Sequence, residues 1–294
     1  MKLLRAATLA VPDAAATTQR YCDWFDYAVV ERGVLDDELA QSWGAPANAG
    51  RPYTVLEPSS RADLYLRIVE GDRAPGYKPL RTYGWAAIEI CVQDVLAANA
   101  RIMESPFEII GPPREIEGLP AIYPMQVEGP DGEIIYLTQI RSDLPAYDLP
   151  RAATPIDKLF ICVLACSDMR GSIKWFENTV GLSFGREMEI VYTMLAKAFG
   201  TPMDKLYTIS TMVHERDVFL ELDQYPPEAT PRPTVAGQLP PAVAMVTLKV
   251  PDFGRVRGDW ITPPKRRDGP VYKGGRAGTL RAPDGALVEI VEKV

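Results

Sequence analysis

Histidine is almost absent from this chain, which has one, His214, among 294 residues. That scarcity limits the chemistry that imidazole ligands or a histidine-activated nucleophile would supply. Positive charge is also in deficit: the net charge of −7 opposes binding to a phosphate backbone, which needs clustered Lys and Arg. We therefore expect no nucleic-acid partner. His214 itself lies in VHERD, a predicted hairpin tip, where an exposed and non-catalytic role is expected.

Long apolar runs are missing as well, and none approaches the ~18 residues needed to cross a bilayer. The opening MKLLRAATLAVPDAAA superficially suggests a secretion signal, but Arg5 and Pro12 interrupt it, so it is predicted to be the first strand. The four cysteines include no CxxC pair, and Cys91, Cys162 and Cys166 lie in apolar strands, as free thiols in a reducing compartment do. The expectation is a cytoplasmic protein with no membrane partner.

What the chain does contain is a repeat. Residues 131–139 read DGEIIYLTQ, and half a chain length later residues 284–292 read DGALVEIVE. Apolar strands that end in Asp recur at the same spacing, and self-similarity at one period indicates duplicated supersecondary units. The four Asp residues stand where helix N-caps are expected, at Asp13, Asp94, Asp168 and Asp252.

Each half therefore holds two copies of a strand, a helix and three further strands. Helices are predicted over 14–26, 95–104 and 169–180, with a short fourth one after Asp252, and closing strands over 63–70, 133–140, 217–224 and 286–293. The Pro-rich segment 142–156 is predicted to link two domains, 1–143 and 155–294. An insertion at 190–205 is predicted to be a short helix over an opening, either as packing or as a lid.

Four such modules, with closing segments GPDGEIIYL at 129–137 and APDGALVEI at 282–290, resemble the vicinal oxygen chelate superfamily of glyoxalases, bleomycin-resistance proteins and extradiol dioxygenases. The resemblance implies an α+β fold in which βαβββ modules form two cup-shaped mixed sheets with helices outside. It also implies two glyoxalase-like domains and a divalent metal inside a cup. Whether modules pair within each half or across the halves stays open.

The metal is where the chain departs from the family. The resemblance places ligands seven residues before each turn Asp and at the closing-strand Glu. The first set is here Ala6, Ala87, Ile161 and Met245, and the second is Arg67, Tyr136, Glu221 and Glu289. A divalent site needs about three N, O or S ligands. No metal and no other cofactor is therefore predicted.

Strand alternation then predicts which side chains face the cups. Glu89, between Ile88 and Ile90, is predicted to point inward, together with Arg67 and Tyr136 in an N-terminal cup. Glu89 is either a proton-transfer group with a raised pKa or a solvated acid at a sheet edge. Arg67 and Tyr136 are candidates for binding substrate oxygens, the alternative being an Arg67–Glu89 ion pair with Tyr136 filling the core.

A C-terminal cup is predicted to hold Glu221, Glu289, Thr247 and Lys249, with Thr8 on the inner wall of the first strand. Two carboxylates in one cavity push their pKa values apart, which suits acid/base chemistry; alternatively they are salt-bridged to Lys249. The predicted catalytic residues are Glu289, Glu89 and Tyr136. The predicted substrate-binding residues are Arg67, Glu221, Thr8, Thr247 and Lys249.

The function expected from these residues is a metal-independent isomerase or lyase acting on a small, largely apolar or aromatic carbonyl compound. The alternative is a non-catalytic protein that sequesters a hydrophobic ligand, and a metal-dependent dioxygenase or glyoxalase ranks last. The partner in either case is a small molecule, and the protein is expected to be a monomer or a homodimer.

Overall fold

The computed structural model describes residues 2–294 and contains the four predicted modules in chain order. The first comprises β1 (Leu4–Val11), α1 (Ala14–Phe25), β2 (Ala28–Val34), α2 (Asp37–Ser42), β3 (Pro52–Glu57) and β4 (Tyr65–Glu70). The second comprises β5 (Gly84–Val92), α3 (Val95–Met103), β6 (Glu108–Gly111), β7 (Ile122–Glu128) and β8 (Ile134–Ile140).

The second half repeats this order. The third module comprises β9 (Ile156–Cys166), α4 (Met169–Val180), β10 (Ser183–Val191), α5 (Thr193–Phe199), β11 (Leu206–His214) and β12 (Asp217–Gln224). The fourth comprises β13 (Ala242–Val250), a 3-10 turn (Phe253–Arg255), β14 (Lys265–Arg266), β15 (Arg276–Arg281) and β16 (Leu287–Glu292). The helix predicted after Asp252 is thus a single 3-10 turn.

The four turn aspartates cap the segments that follow them, as predicted. Asp13 accepts the amide of Ala16 at 2.9 Å, and Asp168 accepts that of Gly171 at 3.0 Å. Asp94 accepts the amide of Leu96 at 2.8 Å, and Asp252 that of Gly254 at 3.1 Å. A side-chain acceptor at this place satisfies one of the amides that a helix start leaves without an intrahelical partner.

Within residues 2–294 the sixteen strands form two eight-stranded mixed sheets, and each sheet takes one module from each half. Strand β1 pairs antiparallel with β13, which joins modules one and four into a sheet that we call the terminal cup. Strand β5 pairs antiparallel with β9, which joins modules two and three into the central cup. The predicted fold class, four modules in two cup-shaped mixed sheets, is confirmed.

This topology settles the pairing that the sequence left open. The expected N-terminal and C-terminal cups are wrong, because the modules of one half lie in different sheets. Glu89 on β5 and Glu289 on β16 consequently lie in different cups. The division into domains 1–143 and 155–294 stays a prediction about folding units.

The alternation of side chains across each sheet is as predicted. Inward residues of the two cups form two separate buried clusters, one around Ala6 and Met245 and the other around Ala87 and Ile161. Outward residues of both sheets, such as Ile88 and Ile90, join one core beneath the helices. The sheets are thus held together through their outer faces, which leaves the two concave faces for sites. No helix within residues 2–294 is long and apolar enough to span a membrane.

Candidate functional site

At the closing-strand position that the resemblance assigns to a metal ligand, each cup has one glutamate and one residue that is not acidic. The parallel register pairs each of the four with an inward residue of an opening strand: Arg67 with Thr8, Glu289 with Thr247, Tyr136 with Glu89, and Glu221 with Val163. Arg67 and Glu289 thus belong to the terminal cup, and Tyr136 and Glu221 to the central cup. The two cups differ in how they neutralise their glutamate.

In the terminal cup, the carboxylate of Glu289 accepts four hydrogen bonds. Arg67 Nη2 and the Thr247 hydroxyl donate to Oε2, both at 2.8 Å. Trp43 Nε1 donates to Oε1 at 2.7 Å, and the Tyr272 hydroxyl donates to the same oxygen at 2.9 Å. Every one of these groups is buried. Such saturation leaves this carboxylate little capacity to take a proton from a substrate.

Electrostatics keep Glu289 ionised. Burial alone would raise its pKa, but the charge of Arg67 and the hydrogen bonds from Trp43, Arg67 and Thr247 bring the pKa below its ordinary value. Arg67 is fixed in turn by Thr8 at 3.1 Å and by the Tyr272 hydroxyl at 2.6 Å, and its guanidinium lies 4.3 Å from the Trp43 ring centroid. The pair is a rigid unit in which the Glu289 carboxylate is saturated.

Three of the predicted contacts do not form. Arg67 pairs with Glu289 and not with Glu89, which lies in the other cup. Lys249 makes no salt bridge to Glu289 or Glu221; its ammonium lies 3.4 Å from Asp63 Oδ2. Glu221 and Glu289 do not share a cavity, because β12 and β16 belong to different sheets.

In the central cup, Glu89 is buried without a cation beside it. Its carboxylate accepts a hydrogen bond from the Thr138 hydroxyl on the neighbouring strand, and no Lys, Arg or His within residues 2–294 forms an ion pair with it. Burial, followed by the nearby charge of Glu221, raises the pKa of Glu89 from 4.5 to about 8, against the opposing effect of Thr138. This carboxyl can therefore hold a proton at neutral pH.

Glu221 is connected to Tyr136 through a third residue, Tyr192. The Tyr192 hydroxyl lies 2.6 Å from the Tyr136 hydroxyl and 3.2 Å from Glu221 Oε1. Burial raises the pKa of Glu221, although its contacts with Asp223 and Tyr192 act in the opposite direction. When Tyr192 donates to Tyr136, the proton of Tyr136 is free to bind a ligand oxygen.

Asp223 adds a third acid to this cup. It lies two residues beyond Glu221 on the same face of β12; both of its oxygens are buried, and its carboxyl shares a hydrogen bond with that of Glu221. Burial, and then the charge of Glu221, raise the pKa of Asp223 well above its ordinary value. The central cup thus concentrates acids that neither a cation nor a saturated hydrogen-bond network neutralises.

Above these acids lies a cavity of about 100 Å³ whose walls are mostly apolar. Phe160 and Ile161 belong to β9, and Tyr147 and Leu149 come from the segment between the halves, which was predicted to be only a linker. Besides Glu89 and Glu221, polar atoms come from Tyr136, Tyr192, Gln126, Thr211 and Arg186. A concave apolar chamber with a few convergent polar groups is the usual form of a small-molecule site.

A second and more polar chamber of about 410 Å³ adjoins the first and shares Ile116, Gln126 and Tyr192 with it. Lys197 and Thr193 of α5 line this outer chamber. The insertion at 190–205 therefore lies at the cup opening, as predicted, and supplies Tyr192. Whether it moves as a lid stays a prediction.

Several residues of these sites were not identified from sequence. Trp43 directly follows α2, and Tyr192 directly precedes α5. Both lie outside the strands, where no alternation predicts which way a side chain points. Tyr272 lies in a loop. Asp223 was detectable, because alternation from the inward Glu221 makes the residue two positions on inward as well.

No protein-family model matches the chain, and no curated protein matches it in sequence. Among solved structures, glyoxalase I from Zea mays is similar over 99% of this chain and 92% of its own, with a TM-score of 0.65 and 18% identity. The chain has the vicinal oxygen chelate fold. A point variant of the maize enzyme gives a TM-score of 0.66 at 19% identity, with the same 99% and 92% coverage. A proposed dioxygenase from Bacillus subtilis gives 0.63 at 14%, covering 99% of this chain and 86% of its own.

The TM-scores establish the fold, and identities this low say nothing about the reaction, so the metal that this fold implies must be tested against the donors present. Ala6, Ala87 and Ile161 offer no lone pair at the opening-strand positions, and the thioether of Met245 is a soft ligand that suits Cu(I) and not a hard divalent ion. Arg67 places a cation where a divalent ion would contact Glu289. Within residues 2–294, no group of three or more His, Cys, Asp or Glu side chains is arranged to hold a metal. The donor set does not fit the family metal.

Proposed function

We propose that the central cup is a metal-independent acid/base site for an isomerase or lyase step on a small, largely apolar or aromatic carbonyl compound. The observation that carries this proposal is the pair Glu89 and Glu221, which border an apolar cavity and form no ion pair with any Lys, Arg or His of the described chain. In the terminal cup the equivalent glutamate is neutralised by Arg67. Burying acids without an ion-pair partner is unfavourable for folding, and we infer that those of the central cup are kept for a function.

Proton transfer supplies that reason. A carboxyl with a pKa near neutrality is protonated and ionised in comparable amounts, so it can both give and take a proton at neutral pH. Glu89, with a pKa raised to about 8, is one such group. Burial also raises the pKa of Glu221 above its ordinary value, which makes it the second candidate. Two acids with shifted pKa values in one cavity can act as acid and base on the same ligand.

The residue assignments follow from position. Glu89 gives or accepts the proton, and the Tyr136 hydroxyl, held by Tyr192, donates to the carbonyl oxygen as negative charge develops on it. The Tyr192 hydroxyl has one proton and gives it to Tyr136, so Glu221, 3.2 Å away, orients Tyr192 in its protonated form by donating to the Tyr192 oxygen. Glu289, first among the sequence candidates, is better explained as the partner that fixes Arg67, because its four hydrogen-bond positions are filled.

Exchange of acidic C–H hydrogens tests this proposal without knowledge of the product. A panel of apolar and aromatic ketones is incubated with the protein in heavy water, and loss of the α-proton signal is followed by NMR. At least one compound should exchange in molar excess over protein, and Glu89→Gln should slow its exchange by about 100-fold or more. Unchanged exchange in both Glu89→Gln and Glu221→Gln would refute the assignment.

Glu133→Gln is the matched control. Glu133 is also fully buried, and burial raises its pKa to about 7, but it lies in the turn before β8 and borders neither chamber. Its loss should leave exchange unchanged.

Sequestration of a hydrophobic ligand is the second candidate, favoured by the small, mostly apolar chamber. In that case a compound binds stoichiometrically and is recovered unchanged, with no exchange.

A further inference from the structure

The mouth of the terminal cup holds a cavity that the proposed function does not use. Its volume is about 400 Å³, within the range of small-molecule sites. It lies above the Arg67–Glu289 pair, and most of its surface is polar, in contrast to the apolar chamber of the central cup. Its charged lining residues are Glu31, Asp36, Asp268, Arg67, Arg266 and Arg267.

Three carboxylates border this cavity without a cationic partner. Glu31, Asp36 and Asp268 form no ion pair with any Lys or Arg of residues 2–294. Glu31 Oε1 accepts a hydrogen bond from Tyr53 at 2.8 Å, and Asp36 Oδ1 accepts the amide of Leu39 at 2.6 Å. One oxygen of each remains available, so the acidic side of the cavity can receive a cationic group.

Arg267 provides an unsatisfied donor on the same cavity. Its side chain is 10% exposed, and Nη2 lies 3.3 Å from the Glu38 carbonyl oxygen and 3.7 Å from Glu38 Oε1. Its Nε is buried and has no hydrogen-bond partner in the described chain. A buried N–H without a protein acceptor is unfavourable, and a water or a ligand oxygen bound beside it would satisfy it.

Arg67 offers donors from the cup floor. A guanidinium has five N–H bonds, and three of the atoms that carry them already bind Thr8, Tyr272 and Glu289. These contacts and the Trp43 ring fix its plane, so the remaining N–H bonds are held in a set direction. A rigid guanidinium is well suited to bind a carboxylate through two oxygens.

We propose that this cavity binds a small zwitterion of the α-amino-acid type, with its carboxylate on Arg67 and Arg267 and its ammonium against Glu31 and Asp36. A simple anion would satisfy Arg267 Nε but would face three unpaired carboxylates. A simple cation would satisfy the acids but leave that N–H buried without an acceptor. A ligand with both charges satisfies both sides, and this site is separate from the central cup.

Isothermal titration of the full-length protein tests the proposal with glycine, L-serine and L-glutamine as zwitterions, and with acetate and methylammonium as the separate halves. At least one zwitterion should bind saturably and at least tenfold more tightly than either half. Arg267→Gln and Glu31→Gln should each weaken that binding by tenfold or more. Arg255→Gln, which alters a side chain that is 86% exposed on another loop, should not.

Three results would overturn the proposal: no saturable binding of any of the three zwitterions, equally tight binding of acetate, or binding that survives both Arg267→Gln and Glu31→Gln. Far-UV circular dichroism establishes that each variant is folded. Because two variants probe opposite ends of the ligand, loss of fold in one leaves the other as a test. Carbonyl exchange in the central cup is independent of all these outcomes.

Discussion

Arg67 on β4 and Tyr136 on β8 occupy equivalent positions in the closing strands of the first and second modules. Each shares its cup with one closing-strand glutamate, Arg67 with Glu289 and Tyr136 with Glu221. Arg67 neutralises Glu289 at 2.8 Å, whereas a tyrosine hydroxyl cannot neutralise Glu221. The difference between arginine and tyrosine at these equivalent positions therefore distinguishes the ion pair of the terminal cup from the acidic pocket of the central cup.

The first prediction concerns the terminal cup. Glu289→Gln leaves the buried guanidinium of Arg67 without its counter-charge, so it should lower the free energy of unfolding by about 3 kcal/mol or more. Urea denaturation measures this. Adding Arg67→Met to that variant should lower the free energy of unfolding much less than Arg67→Met does alone, because the two side chains stabilise each other.

Glu292→Gln is the matched control, three residues further along β16. Glu292 pairs with Arg276 at 2.8 Å, and the side chain of Arg276 is 47% exposed. A pair so open to water contributes little to the free energy of unfolding. Equal losses in Glu289→Gln and Glu292→Gln would show that the buried network is not the special feature we describe.

The second prediction is a pH dependence of stability. Folded Glu89 has a pKa of about 8 against an ordinary 4.5, so between these pH values the native state keeps a proton that the unfolded chain has lost. Stability should therefore fall as pH rises through this window, by up to about 1.4 kcal/mol for each unit, and the fall should end above pH 8. Glu89→Gln should remove this part of the decline.

The measurement is urea denaturation of wild type and Glu89→Gln at several pH values. The variant's advantage over wild type should grow with pH up to about 8. Glu133→Gln is a useful comparison, because the pKa of Glu133 is raised to about 7 and its window closes earlier. Parallel curves for wild type and Glu89→Gln would contradict the assigned pKa.

The third prediction isolates Tyr192. Tyr192→Phe removes the hydroxyl that joins Tyr136 to Glu221, so Tyr136 loses its orientation towards a developing oxyanion. Turnover of an exchange substrate should fall by about 100-fold, while its affinity changes little, because the apolar walls remain. Tyr207→Phe breaks the 2.7 Å contact with Thr201 outside both chambers and should leave turnover unaltered. A loss of affinity with unchanged turnover in Tyr192→Phe would point to simple packing.

The fourth prediction concerns metals. Because the donor set does not fit a divalent ion, dialysis against a chelator should leave proton exchange by the protein unchanged. Elemental analysis of the purified protein should find zinc, iron, manganese and nickel well below one per chain. Stoichiometric metal together with activity lost on chelation and restored on metal addition would refute the metal-independent site.

The fold was predictable from sequence because its signals are local. Each opening strand ends at an Asp that caps the next segment, and alternation along each strand separated the inward Glu89 from the outward Ile88 and Ile90. The predicted helix 169–180 matches α4 residue for residue, and the predicted strand 217–224 matches β12.

The composition of each site was less predictable because it depends on which modules pair. Neither the repeat nor the register within a module determines whether β5 meets β9 or some other edge. The sequence therefore grouped Arg67 with Glu89, and Glu221 with Glu289, although each pair is divided between the cups. Trp43, Tyr192 and Tyr272 were missed because loops and short helices, which carry no alternation, position them.

Carbon-13 NMR of protein labelled at the glutamate carboxyls tests the central claim most directly, with Glu89→Gln and Glu289→Gln used to assign the two signals. At neutral pH, the Glu89 carboxyl should be mainly protonated and should titrate with a midpoint near 8. Glu289 should remain ionised to the lowest pH at which the protein is folded. A Glu89 carboxyl that titrates near its ordinary 4.5 would contradict the account.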